Sequence, residues 1–377
     1  MKIVADIDIP FLKGAIEPFI DVEYYKGSSI DKEKIKDADG LIIRTRTICN
    51  KVLLEGTKVK FIATATIGYD HIDTEYCEKK GITWANAPGC NSGSVMQYIA
   101  ASILYFAREN NIDLKTRVLG VVGVGNVGRK VVNLAETLEM QVLLNDPPRQ
   151  REEGPCQFIS IDGILRDADI LTFHVPLNMD GTDRTYHMVD INLLSKLNNG
   201  SLLINTSRGE IIDSDALLKG QKVNKPEFTV LDVWEKEPYP RRDILNKSFL
   251  ATPHIAGYSS DGKALGTQMA IRSVSKFFNL GIDDWEIPML PEPESSTIKY
   301  NCHKKNFQEV ATDLVLVTYP IFNDDNNFRK APRRFEHLRS EYWTRREFGA
   351  YKVLLRNADE RIINKVRELG FNVISER

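Results

Sequence analysis

The 377-residue sequence predicts an α/β protein, with two doubly wound parallel-sheet (Rossmann-like) domains plus a small C-terminal α+β domain. Three observations predict it. Short apolar runs alternate with helix-length segments along most of the chain. A glycine turn, GVGNVG (123–128), joins one such run to a helical pattern. A stretch rich in proline and acid, IPMLPEPESS (287–296), separates this pattern from a tail of different character.

The first stretch offers KIVAD, GLIIRT and VKFIATAT as buried strands, with helices over 31–37 and 72–80 between and after them. SGSVMQYIAASILYFAREN (92–110) reads as a long apolar helix, with Ser92 or Ser94 as its cap. A second strand–helix series starts at Arg117. RVLGVVGVG enters the glycine turn, NVGRKVVNLAETLEM forms a helix, and QVLLND returns as a strand. ADILTFHVP, GSLLINTS, EFTVLDVW and FLATPH follow, each an apolar run that ends in a polar or proline-marked turn. A helix over 260–280 then carries the chain to the linker. The tail, 297–377, offers the strand STIKYN, a helix near 306–319, a basic stretch 329–352, the strand AYKVLLR, the helix ADERIINKVRELG and the strand FNVIS.

Composition is that of an ordinary globular protein, with 42% hydrophobic and 27% charged residues. A net charge of −2 points neither to nucleic acid nor to anionic lipid. Cys49, Cys77, Cys90, Cys156 and Cys302 are odd in number and lack CxxC spacing. They read as reduced thiols in a cytoplasmic protein, with no metal site. MKIVADIDIP lacks a basic region followed by an apolar one, so no signal peptide is expected. No apolar run is long enough for a membrane span.

Gly123, Gly125 and Gly128 have GxGxxG spacing in the context that gives it meaning, after a strand and at the start of a helix. Gly123 permits the tight turn, Gly125 lets a pyrophosphate reach the backbone, and Gly128 lets helix and strand pack closely. Asn126 and Val127 complete the turn, whose free N–H groups suit phosphates. Asp146 lies 18 residues past Gly128, at the end of the next strand, where a carboxylate binds ribose hydroxyls and repels a 2′-phosphate. NAD is therefore the expected cofactor, while Arg149 keeps NADP open. Val175, after His174 at another strand end, is a further candidate for contact with the cofactor.

Arg208 in INTSRGE, Glu237 in VLDVWEKEP and His254 in TPH each follow a strand. In a parallel sheet such ends lie side by side. A histidine can take the proton of a substrate hydroxyl, a carboxylate on its other nitrogen fixes its tautomer, and an arginine can hold a carboxylate with two hydrogen bonds. His71, His174, His187, His303 and His337 lack such a setting.

GVVGVGNVG, NTSRGEIID, LDVWEKEP and TPHIAGYS, in that order, resemble the D-isomer-specific 2-hydroxyacid dehydrogenases over about residues 1–285. The resemblance implies that Arg208 orients the substrate carboxylate, that His254 is the acid/base and that Glu237 is its partner. It implies that Asp232 faces the nicotinamide carboxamide and that Thr206, Ser207 and Gly257 line the cofactor. It makes 1–92 with 255–285 a substrate (lid) domain, 93–254 the NAD-binding domain and 286–377 a C-terminal domain for homodimerisation. TATIGYDHID matches the family loop whose amides hold the carboxylate, here Thr66, Ile67 and Gly68.

The stretches RTRT, APGCN, NDPPR and HIAGYSSDGK, with the tail, are similar to the family branch that oxidises 4-phospho-D-erythronate. A terminal phosphate needs cations away from the reacting carbon. Arg44, Thr45, Arg46 and Tyr258 are the candidates, against the plainer reading of RTR as a solvated strand end. The stretch 329–352 carries eight Lys or Arg against Glu336, Glu341 and Glu347. It reads as solvated surface, or as a source of Arg345 or Arg346 for a partner subunit's phosphate site. A dehydrogenase for 3-phosphoglycerate or glyoxylate, and a non-catalytic NAD(H)-sensing protein, remain the alternatives.

Overall fold

Fourteen strands, all paired in parallel, form three sheets in a computed structural model that describes residues 1–154, 157–287 and 289–375. Cys156 lies outside the described residues; Cys49, Cys77, Cys90 and Cys302 are buried free thiols. The chain divides into two compact units, 1–92 with 259–291, and 93–258 with 292 onward.

The first unit holds a five-stranded sheet in the order β2-β1-β3-β4-β5, formed by β1 (Lys2–Asp6), β2 (Asp21–Tyr25), β3 (Gly40–Ile43), β4 (Phe61–Thr64) and β5 (Thr83–Ala85). Its central strands are apolar on both faces, because helices cover both sides of a parallel sheet. Val4, Leu41, Ile43 and Ile62 pack on one side with Ile35, Leu54 and Cys77. Ile3, Ala5, Ile42, Phe61 and Ala63 pack on the other against Ala270, Ile271 and Val274 of the helix Ser260–Phe278. The helices expected over 31–37 and 72–80 are Lys32–Ile35 and Thr74–Lys80.

The second unit holds a six-stranded sheet in the order β11-β10-β9-β8-β6-β7. Its strands are β6 (Val118–Val122), β7 (Gln141–Asn145), β8 (Ile170–Phe173), β9 (Leu202–Asn205), β10 (Phe228–Leu231) and β11 (Leu250–Ala251). Chain order reverses between β6 and β8, the position where doubly wound sheets bind ligands at their carboxyl ends.

The tail forms β12 (Thr297–Asn301), β13 (Lys352–Arg356) and β14 (Asn372–Ser375), joined by helices that include Phe307–Thr318 and Glu360–Glu368. Its residues enter both cores of the second unit. Val310, Leu314, Phe348 and Val353 join Ile99, Leu119 and Val230 on one side of the six-stranded sheet. Phe328 and Phe335 join Leu203, Leu231 and Trp234 on the other.

Candidate active site

The parallel register of the second unit delivers all six strand ends to one side of its sheet. At the end of β6, Gly123 has φ +86°, and a methyl group there would lie 2.6 Å from the His174 carbonyl oxygen after β8. At Gly128 a methyl group would lie 2.1 Å from the Gly123 carbonyl oxygen, so the helix Asn126–Thr137 sits directly on the turn. Gly125 is its N-cap, donates no side-chain cap and faces open space. Asn126 is exposed and Val127 half-buried.

Asp146 follows β7 and is fixed by the turn it serves. Its Oδ2 accepts from the Val124 N–H at 2.8 Å, and its Oδ1 accepts from the Arg149 N–H at 3.1 Å as the cap of Pro147–Glu153. The Arg149 guanidinium grips Glu153 through Nε and Nη2 at 2.7 and 2.8 Å, and donates to the Val124 carbonyl at 2.7 Å. That pairing neutralises the cation that kept NADP open.

After β8, His174 contacts Thr172 Oγ1 at 3.1 Å, and desolvation pushes its imidazole down to about 3. It is a neutral group at any physiological pH, and half-buried Val175 follows it. After β9, Asn205 orders the next turn by accepting from Ser207 Oγ at 2.8 Å and donating to the Arg208 carbonyl at 2.8 Å. Arg208 Nη1 donates to the Ser207 carbonyl at 2.8 Å. The neighbouring Thr206 Oγ1 is buried and makes no hydrogen bond. Such an orphaned hydroxyl fits a bound polar ligand. With the bare helix start at Gly125 and the acceptor at Asp146, the residues present fit NAD.

The ends of β10 and β11 are tied through one carboxylate. Asp232 is buried, and its Oδ1 accepts from Thr252 Oγ1 at 2.6 Å and the Ile255 N–H at 2.8 Å, while Oδ2 accepts from the Ala256 N–H at 2.9 Å. Burial pushes this carboxyl up, against the opposing pull of His254 and these hydrogen bonds. Tyr98, fully buried on the helix Ser92–Glu109, lies 2.7 Å from Thr252 Oγ1 and extends the chain of contacts. Ser94, on the same helix, donates to Glu347 Oε1 at 3.0 Å.

This brace sets the His254 backbone at φ +56°, a left-handed conformation uncommon outside glycine, with its N–H on the Asp232 carbonyl at 2.7 Å. Its Nδ1 lies 2.8 Å from Glu237 Oε2, and the side chains are 31% and 26% exposed. Glu237 Oε1 accepts from the Trp234 N–H at 3.0 Å, so both carboxylate oxygens are engaged. Burial by itself would push the Glu237 carboxyl up. The His254 charge and hydrogen bond, the Trp234 N–H and the Arg339 guanidinium instead hold it below its ordinary range. With Nδ1 committed to Glu237, Nε2 is the ring nitrogen left for proton transfer.

Gly257 and Tyr258 are half-buried, and the Tyr258 N–H closes a turn onto the Ile255 carbonyl at 2.8 Å. Sequence reasoning missed what lies behind them. Arg345 is fully buried; its Nη2 donates to the Ala256 carbonyl at 2.6 Å, and its guanidinium sits 4.3 Å from the Tyr319 ring centre. The expectation that Arg345 reaches a partner's phosphate site is thus corrected, since this guanidinium is fully buried within its own chain. Arg346 is buried as well, and its carbonyl accepts from Gln97 Nε2 at 2.9 Å.

In the first unit, Arg44, Thr45 and Arg46 leave the end of β3, while Thr66, Ile67 and Gly68 leave the end of its neighbour β4. Thr45 and Arg46 are exposed, and Arg44 Nη1 donates to the Asp8 carbonyl at 3.1 Å. Thr66 Oγ1 donates to the Gly68 carbonyl at 3.0 Å, and the Ile67 carbonyl accepts from Asn86 Nδ2 at 2.7 Å. Both loops are therefore held by polar contacts in their own unit. Among the described residues no group of three His, Cys, Asp or Glu could hold a metal, and no helix is long and apolar enough to cross a membrane.

Comparison with known proteins agrees with this geometry. Residues 104–256 match the family model of the NAD-binding domain of D-isomer-specific 2-hydroxyacid dehydrogenases, and residues 289–370 match a domain of unknown function. A relative from Bacteroides thetaiotaomicron, an erythronate-4-phosphate dehydrogenase, is 47% identical over 94% of this chain and 99% of its own. The D-lactate dehydrogenase of Aquifex aeolicus, solved with NAD and lactic acid, is 25% identical with a TM-score of 0.63, over 75% of this chain and 97% of its own. The NAD-bound 3-phosphoglycerate dehydrogenase of Entamoeba histolytica is 28% identical with a TM-score of 0.62, over 77% and 99%.

Proposed function

This chain belongs to the erythronate-4-phosphate dehydrogenases, within the D-isomer-specific 2-hydroxyacid dehydrogenase family, and from that premise we propose that it oxidises 4-phospho-D-erythronate to 2-oxo-3-hydroxy-4-phosphobutanoate. The observation that carries the reading is the His254–Glu237 pair, 2.8 Å apart past the ends of β10 and β11, next to the strand β9 that Arg208 follows. His254 Nε2 takes the proton of the 2-hydroxyl, and Glu237 stabilises the imidazolium that forms. Arg208 holds the substrate carboxylate and polarises the reacting oxygen, with the amides of Thr66, Ile67 and Gly68 as further donors. Arg44, Thr45, Arg46 and Tyr258 receive the terminal phosphate.

NAD, when bound, supplies the hydride acceptor. Gly123, Gly125, Asn126, Val127 and Gly128 hold its pyrophosphate, and Asp146 holds the adenosine ribose. Val175, Thr206, Ser207 and Gly257 line it, and Asp232 offers its remaining acceptor capacity to the carboxamide. In this reading 1–92 with 255–285 is the substrate domain, 93–254 binds NAD, and 286–377 joins two copies in a cytoplasmic homodimer. Sedimentation of the full chain tests the assembly: twice the chain mass is expected, and a monomer at micromolar concentration contradicts it.

The reaction is tested by NADH formation across a panel of 2-hydroxy acids, each with and without a terminal phosphate. The expected result is preference for 4-phospho-D-erythronate over unphosphorylated erythronate, 3-phosphoglycerate and glycolate. Equal rates with and without phosphate overturn the substrate assignment; NADH binding without turnover of any acid overturns the enzyme assignment.

A further inference from the structure

The tail places one cation beside the histidine loop that none of the roles above uses. Arg339, on the short helix Phe335–Ser340, has a side chain only 17% exposed. Its guanidinium stands 5.6 Å from the Tyr258 ring centre and 5.7 Å from that of Phe335. One nitrogen, Nη1, donates to Glu336 Oε1 at 3.1 Å, while Nε is buried and makes no hydrogen bond. The Tyr258 ring thus meets both Arg339 and the ring of Tyr342, whose centre is 6.0 Å away and whose plane is nearly perpendicular.

A surface arginine paired with a glutamate three residues earlier contributes little. Arg339 differs because it is largely desolvated and covers an aromatic face, and its charge also helps hold a second carboxyl below its ordinary range. Glu237 and Arg339 each feel the other's charge. The other charged or titratable groups around the pair are His254 itself, Asp232 beneath its loop, Tyr258, Glu336, and Glu210 with Arg208 after β9. Glu237 helps push the Glu210 carboxyl up, whereas the positive charge of Arg339, from the tail, favours the ionised form of Glu237.

We propose that Arg339 is a positioning residue of this active site, supplied by the C-terminal segment of the same chain: it holds the Tyr258 ring in place and adds a positive charge to the surroundings of Glu237. The inference rests on the reading of His254, Glu237 and Tyr258 given above. The tail then serves the site of its own subunit, whatever it does between subunits. Holding Tyr258 acts on substrate binding, whereas the charge acts on the pH at which Glu237 loses its negative form.

Arg339→Met keeps the length and removes the charge; Arg339→Lys keeps the charge. The Met variant should raise KM for 4-phospho-D-erythronate about 3- to 10-fold through Tyr258, with a smaller change in kcat. It should also move the acidic limb of the kcat/KM profile up by about half a pH unit or more, and the Lys variant should restore that limb. A Met variant with the KM and acidic limb of the unmodified enzyme overturns the proposal. So does a Lys variant whose limb moves as far as that of Met.

Glu336→Gln, at a more exposed position, provides a second arm should the Met variant fail to fold. Freed from its competing carboxylate, Arg339 should act more strongly on Glu237 and move the limb to lower pH; an unmoved limb overturns the proposal. Titration of Glu237 in the NAD-loaded full chain, by ¹³C-carboxyl resonances assigned with Glu237→Gln, does not need turnover. It decides the role of Arg339 even where the substrate assignment fails.

Discussion

Replacing Glu237 by Gln isolates the charge of the carboxylate while keeping its shape. In the native site Oε2 faces His254 Nδ1 at 2.8 Å and Oε1 accepts from the Trp234 N–H at 3.0 Å. Glutamine has a single oxygen, so one of these two donors must face an NH₂ group instead. Turning the oxygen to His254 preserves the tautomer but removes the counter-charge for the imidazolium. Two unit charges ~4 Å apart at an effective dielectric of ~20 attract by about 4 kcal/mol. Partial exposure of both side chains, 31% and 26%, reduces this to roughly 2–3 kcal/mol. A fall in kcat of ~30- to ~150-fold is therefore expected. Initial rates of NADH formation, with kcat and KM resolved and NADH affinity checked by fluorescence, measure it. A loss confined to KM, or a kcat within threefold of the unmodified enzyme, refutes the counter-charge role. Stability adds a sign. The Glu237 carboxyl sits below its unfolded value, so its contribution is complete above that value and is lost as pH falls through the folded one. The melting-temperature gap between the native chain and Glu237→Gln should therefore shrink on acidification below about pH 4.

Further outcomes follow from the surroundings of this pair. Asp232→Asn leaves one of the Thr252, Ile255 and Ala256 donors facing an NH₂ group. Each unsatisfied buried group costs about 1–3 kcal/mol, offset in part by relief of the buried charge, so net destabilisation of ~1–3 kcal/mol is expected in thermal melts, with reduced kcat. Gly123→Ala puts a methyl group 2.6 Å from the His174 carbonyl at φ +86°; it should destabilise the fold by ~1–3 kcal/mol and weaken NAD binding, read by calorimetry. Asp146→Ala removes the acceptor for the Val124 N–H and the cap on Arg149 N–H, and should weaken NAD binding without abolishing turnover at saturating cofactor.

Much of this architecture was legible because parallel sheets bury both faces of their central strands. β1, β3, β4, β6, β8 and β9 read as unbroken apolar runs, and Arg208, Glu237 and His254 stood out as polar residues just past such runs. The strands that escaped notice are β2, DVEYY, and β5, TWA, which lie at sheet edges, half-exposed and short. The helices Ile321–Lys330 and Phe335–Ser340 were hidden in a stretch rich in charge. There Asp324 and Asp325 are buried, with Asp325 accepting from the Ala251 N–H at 2.7 Å and Arg329 Nε at 2.8 Å. Charge normally signals solvent, so a buried polar network of this kind leaves no periodic trace. For the same reason Arg345 and Arg339 read as surface or as an interface, although their partners lie about 80–90 residues earlier in the chain. Asp232 was read through its family role, and its part in bracing the Ile255 and Ala256 N–H groups needed coordinates.

His254→Asn separates the proton-transfer role of the imidazole from its place in the fold. Asparagine tolerates the left-handed backbone that His254 adopts at φ +56°, so the Asp232 brace survives while the imidazole is lost. The expected result is a ~10²- to ~10⁴-fold lower kcat for NADH formation from 4-phospho-D-erythronate, with NADH affinity within about twofold of the native chain. Turnover near the native rate in a folded, NADH-binding variant contradicts it.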